Sequence, residues 1–286
     1  MSVKFHDVHS CKELFEIAQL KLEHLYIHFG LHDLYPDHYT TPTSPLEFLK
    51  YAKEELHAGD CSRILTNVIN QSNRSIDSSI DEVLGCLNID TKIKLTQTSI
   101  EQLHKKYSNG RHSNDFSLKL KLISCILNAP TILVDNARKF RHLVEHNYQK
   151  PEKVKVYTAV ETAQFLNLFI DSKTNSVHQI DITDVKLFGQ ACNQSSNKRT
   201  GLTFYWEALD DKTKYYLKFT RKNEDIVDVY TYEFKNSEKL LLMLLRACFF
   251  DAHDIQNTKK TIQDIISELT NENFNVVKYI VVATEI

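Results

Sequence analysis

Six glycines and five prolines in 286 residues are about a third of the usual share of these turn formers, which average roughly 7% and 5%. Such scarcity argues against a chain of many short hairpins and for long helices. It also leaves no Gly-rich phosphate loop and no dinucleotide fingerprint, which excludes P-loop and Rossmann enzymes. Paired cysteine spacings are missing as well. Cys11, Cys61, Cys86, Cys125, Cys192 and Cys248 stand singly, with no CxxC or CxxH, so a structural zinc site is excluded and the thiols are expected reduced and mostly buried. No basic-then-apolar leader is visible, and the longest apolar run, Leu240 to Leu245, is cut by Arg246 far short of the ~20 residues of a membrane span. A cytoplasmic protein without membrane contact is expected, for which the sequon Asn73-Arg74-Ser75 has no meaning. Excess positive charge is lacking too: 35 Lys and Arg face 37 Asp and Glu, a net charge of −2, so any grip on phosphate must come from a local patch. With 42% hydrophobic and 25% charged residues, the composition excludes disorder for most of the length.

What is present divides in two. Ser44-Pro45-Leu46-Glu47 supplies an N-cap, a proline at the first helical position and a capping-box glutamate, opening a helix that stops at Gly59. Asp60 is expected to cap the next helix, where Ile64, Val68, Ile69, Ile76, Ile80, Val83 and Leu87 keep helical phase. Further helices are expected near 10–29, 99–107, 116–128, 131–145 and 152–169. After about residue 173, β-branched and aromatic residues alternate with polar ones, predicting strands over 202–208, 215–220 and 226–234, helices over 237–250 and 258–269, and a strand over 276–283. The expected fold is α+β overall: an all-α helical bundle, residues 1–172, then a smaller α+β domain, residues 176–286, with a mainly antiparallel sheet and helices on one face.

The segment Arg138 to Pro151 carries the chemistry. Pro151 requires a helix to end just after His146, placing Arg141 and His146 at a helix end. Five positions apart is about 140° net around a helix, so the pair converges only if the last turn unwinds or across a dimer axis. Both are otherwise ordinary helix-terminal cations favoured by the macrodipole.

Arg141, His142 and His146 resemble the signature of the HEPN family of helical ribonucleases and nucleotide-binding proteins: arginine, a polar residue, then histidine after four to six positions. Tyr148 extends the likeness to the arginine, four residues, histidine, one residue, tyrosine form of toxins silenced by minimal nucleotidyltransferase antitoxins. The stretches Tyr51 to Leu56 and Asn70 to Asp77 look like the family's long second and third helices. The resemblance covers residues 1–172 and implies a HEPN-like bundle, a homodimer lining one cleft with two motifs, and metal-independent RNA cleavage without cofactor by a regulated toxin or antiviral defence effector. It implies His146 as acid/base, Arg141 as phosphate stabiliser, His142 as polar assistant and Tyr148 as a modification site. Some family members instead bind nucleotides or proteins without cleaving.

Around that core, Lys105, Lys106, Arg111 and Arg138 are candidate RNA contacts. Asn70, Arg74 and Asp77 follow one helix face with Asn67 and Asp81; they either line the cleft or form a solvated face with an Arg74–Asp77 pair. His24, His28 and His32 have helical spacing, but Gly30 interrupts it and no metal site is expected. Tyr148 is alternatively a half-buried aromatic beside Pro151. In 176–286, the aromatics Phe204, Tyr205, Trp206, Tyr215, Tyr216, Tyr230 and Tyr232 and the polar loop Asn193 to Gly201 suggest a sensing or recruiting domain, or a structural cap.

Overall fold

A computed structural model of the chain describes residues 2–20, 25–31, 42–107, 116–174, 177–183, 201–209, 212–223, 226–235, 238–249, 255–270 and 280–284. In chain order the elements are β1 (Ser2–Asp7), α1 (Cys11–Ala18), β2 (Leu25–Leu31), α2 (Pro45–Ala58), α3 (Ser62–Cys86), α4 (Lys94–Tyr107), α5 (Leu118–Leu127), α6 (Thr131–His146), α7 (Lys153–Thr174), β3 (His178–Thr183), β4 (Gly201–Leu209), β5 (Lys212–Asn223), β6 (Ile226–Glu233), α8 (Lys239–Cys248), α9 (Ile255–Thr270) and β7 (Ile280–Thr284). They form two compact units, Leu34–Asn175 and the combination of Met1–Asp33 with Ser176–Ile286. Among the described residues no helix is long and apolar enough to cross a membrane.

The helical unit begins as its sequence dictates. Ser44 accepts from the Glu47 amide and Glu47 accepts from the Ser44 amide, a closed capping box ahead of Pro45. Gly59 ends α2 at φ 154°, a conformation that side chains disfavour, and an added Cβ would lie 3.2 Å from Ile64 Cδ1. Cys61, not Asp60, occupies the α3 N-cap; the Asp60 carboxylate instead accepts from Lys153 Nζ at 3.1 Å. On α3, Val68, Ile69, Ile76 and Ile80 are fully buried, and the small residues Ser72, Ser75 and Ser79 are buried beside them. Asn167 of α7 joins this seam, its Nδ2 donating to Ser75 Oγ at 3.0 Å and its Oδ1 accepting from Ser79 Oγ. Ser75 Oγ in turn donates to the Pro45 carbonyl at 2.7 Å, so one buried junction ties α2, α3 and α7.

In the sheet unit seven strands run in the order β1-β6-β5-β4-β3-β2-β7. The neighbours from β2 to β6 are antiparallel, while β1 joins β6 and β7 joins β2 in parallel. Register puts Ile180, Phe204, Leu217 and Tyr232 in one cross-strand row and Ile182, Leu202, Phe219 and Tyr230 in the next, on one face. Arg221 and Tyr232 on that face reach the Ile17 carbonyl of α1 and the Glu238 carboxylate before α8. The opposite face carries Tyr205 stacked on Tyr216, with ring centres 5.3 Å apart and Lys218 Nζ 5.9 Å above Tyr205.

Three expectations need correction. The helix expected over 10–29 is only α1, ended by Gln19 in the left-handed conformation, and Leu25–Leu31 form β2. Leu25 and Ile27 alternate as fully buried strand residues, a pattern that an apolar run hides from helical counting. Residues 1–33 therefore belong with the sheet and not with the helical unit, because β1 pairs with β6 and β2 pairs with β3 and β7. His28 lies on β2, so the helical spacing of the three histidines does not arise; His24 and His32 lie outside the described residues, as do 193–200 of the polar loop.

Candidate functional site

The motif residues occupy the end of α6. The buried stripe of this helix, Thr131, Val134, Ala137, Phe140 and Val144, recurs at three- and four-residue intervals and fixes the directions of the other side chains. His142 and His146 face solvent, one turn apart, with ring centres 4.8 Å apart and planes inclined by 40°.

Arg141 turns to a different set of partners. Its Nε donates to Glu145 Oε2 at 2.8 Å and its Nη1 lies 3.9 Å from Asp77 Oδ2. Arg138 bonds the other Asp77 oxygen and donates through Nη1 to Ser117 Oγ at 3.1 Å. Asp77 of α3 thus sits between two guanidinium groups of α6, and the Arg141 side chain keeps 36% of its surface exposed. Helix α6 stays regular through His146, leaving Arg141 and His146 about 140° apart around the axis. The unwinding that would join them within one chain does not occur.

The backbone turns sharply after the helix. Asn147 closes it, Tyr148 adopts φ 53°, and the Gln149 amide donates to the Leu143 carbonyl at 3.1 Å. Tyr148 is 89% exposed, so it is no half-buried packing residue beside Pro151. A bulky residue in the left-handed region costs about 1–2 kcal/mol, and here no packing offsets it.

The remaining candidates are scattered. Asp77 is brought to Arg141, and pairs across to α6 instead of with Arg74, which is exposed. The Asn70 Oδ1 is buried without a hydrogen-bond partner. Asp81 is held by Lys119 of α5 at 2.5 Å. Lys105 and Lys106 are exposed on the last turn of α4, while Arg111 lies outside the described residues. Arg138, expected as an RNA contact, is engaged within the protein.

Two features escaped sequence reasoning. Glu145 neutralises Arg141, and the i,i+4 spacing was a readable signal for it. Between α6 and α7 lies an apolar cleft of about 310 Å3, lined by Leu133, Ala137, Phe140, Leu143, Ala159 and Thr162, with Lys155 Nζ 5.7 Å above the Phe140 ring. Its lining residues come from two helices separated by Pro151, and nothing local announces it. Among the described residues no group of three or more His, Cys, Asp or Glu side chains is placed to hold a metal ion. The chain matches no known family, no curated protein and no solved structure.

Proposed function

We propose that the chain is a HEPN-type, metal-independent endoribonuclease, a toxin or defence effector whose cleavage is held in check. The observation that carries this reading is the solvent-facing imidazole pair His142 and His146, with ring centres 4.8 Å apart at the end of α6, in the helical turn that follows Arg141 in sequence. Imidazole takes or gives a proton near neutrality, as this chemistry requires. The RNA 2′-hydroxyl loses its proton and attacks the adjacent phosphorus, the bond to the 5′-oxygen breaks, and that oxygen gains a proton. The products are a 2′,3′-cyclic phosphate and a 5′-hydroxyl. His146 is the acid/base, His142 assists, and Arg141 stabilises the charge growing on the phosphoryl oxygens.

Arg141 must exchange Glu145 or Asp77 for phosphate to do this, which is one way that the resting protein is held inactive. A homodimer would supply a second Arg141 to each His146, the convergence that a regular α6 denies a single chain. Tyr148 fits a control site: its phenolic oxygen would attack the α-phosphorus of a nucleoside triphosphate bound by a nucleotidyltransferase antitoxin, releasing pyrophosphate and losing its proton to solvent. The added negative charge would lie two residues from His146 and repel RNA.

Pure protein incubated with mixed RNA in chelator should yield 2′,3′-cyclic phosphate ends, and His146→Ala should abolish them. A second reading, a non-catalytic dimer module that binds a nucleotide or protein, is favoured by the engagement of Arg141 with Glu145 and by the apolar α6/α7 cleft. Nucleotide binding by calorimetry without any RNA cleavage would support it.

A further inference from the structure

We infer that His142 and His146 form a chelating site for a borderline transition-metal dication, Zn2+ in particular. The argument is geometric. Zinc sits about 2.0–2.1 Å from an imidazole nitrogen, hence about 3.2 Å from the ring centre, and ligand angles of roughly 90–110° put two ring centres about 4.5–5.2 Å apart. The separation here is 4.8 Å. Both rings project from consecutive turns of one regular helix, so the backbone is already fixed when the ion arrives and little ordering remains. Both are exposed, so the ion keeps water in its other positions and needs no third side chain. Arg141 does not oppose it strongly, because its charge is countered by Glu145 and Asp77.

Imidazole selects Zn2+, Ni2+ and Cu2+ over Mg2+ and Ca2+, which demand oxygen ligands. The bound ion occupies the lone pairs that would otherwise move protons. On the ribonuclease reading above, on which this consequence rests, Zn2+ switches cleavage off and a chelator restores it. The binding itself does not depend on that reading.

The test uses the full chain. Zn2+ titrated calorimetrically should fill one equivalent that His142→Ala and His146→Ala each weaken by at least about tenfold, some 1.4 kcal/mol. His57→Ala, which removes an exposed histidine of α2, should leave that equivalent intact, and Mg2+ should not compete. Helical circular dichroism of both variants should be unchanged, since alanine favours helix. Equal Zn2+ binding by wild type and both variants, or displacement by Mg2+, overturns the site. In parallel, RNA cleavage is followed with and without Zn2+. Zinc binding through the pair with no cleavage under any condition keeps the site and removes the ribonuclease reading; cleavage that Zn2+ leaves untouched, with no such equivalent, does the reverse.

Discussion

Replacing Asn167 is the sharpest probe of how the helical unit is held together. The side chain is 8% exposed and makes two contacts, from Nδ2 to Ser75 Oγ and from Ser79 Oγ to Oδ1. Asn167→Ala removes both, at about 1 kcal/mol net each, and leaves a small void worth about another 1 kcal/mol, so a loss of roughly 2–4 kcal/mol is expected. The serines limit the damage. Ser75 retains the Pro45 carbonyl and Ser79 the Ser75 carbonyl at 3.0 Å, so neither hydroxyl is orphaned. Asn167→Asp should be worse than alanine, because it places a carboxylate against Ser75 in a buried seam. Asn167→Leu refills the space and should cost least. Urea unfolding followed at 222 nm orders the three. An alanine loss below 1 kcal/mol, or an aspartate variant at least as stable as the alanine one, would refute the reasoning.

Three more expectations follow from named groups. Gly59→Ala should destabilise by about 1–2 kcal/mol, since φ 154° is disfavoured for alanine and the new Cβ presses on Ile64; an unchanged urea midpoint would contradict it. Burial, reinforced by Glu82, pushes the Cys86 thiol up to about 11 from 9.0. A folded value above the unfolded one gives stability that is whole below pH 9 and lost as pH rises through 11, on the order of 2–3 kcal/mol; Cys86→Ala should flatten this part of the stability–pH curve. Glu145→Gln weakens the hold on Arg141 while costing under about 1 kcal/mol, because the pair is partly exposed; RNA binding should tighten and its salt dependence steepen.

The parts of the fold written in local chemistry were legible. Ser44, Pro45 and Glu47 start α2 as read, Gly59 stops it, and the alternation around Phe204, Tyr215 and Tyr230 finds β4, β5 and β6. What depended on distant partners was not. Strand β1 has an exposed, charge-interrupted sequence and becomes a strand only by lying beside β6, and β2 resembles a helix end until β3 and β7 flank it. The same division holds at the site. The end of α6 just after His146 and the roughly 140° between Arg141 and His146 follow from Pro151 and helical spacing, whereas the pairing of Asp77 with two arginines requires α3 and α6 to be packed side by side. A chain ending near Ser172 would leave β1 and β2 without their neighbours, so the helical unit is to be isolated as residues 34–175.

The central claim is tested most directly by the RNA ends produced by the purified 286-residue chain in chelator. The account predicts 2′,3′-cyclic phosphate and 5′-hydroxyl termini from wild type, their loss in His146→Ala, and a strong reduction in Arg141→Ala with the helical signal preserved. Cleavage that persists in His146→Ala, or that requires an added divalent metal, would contradict it.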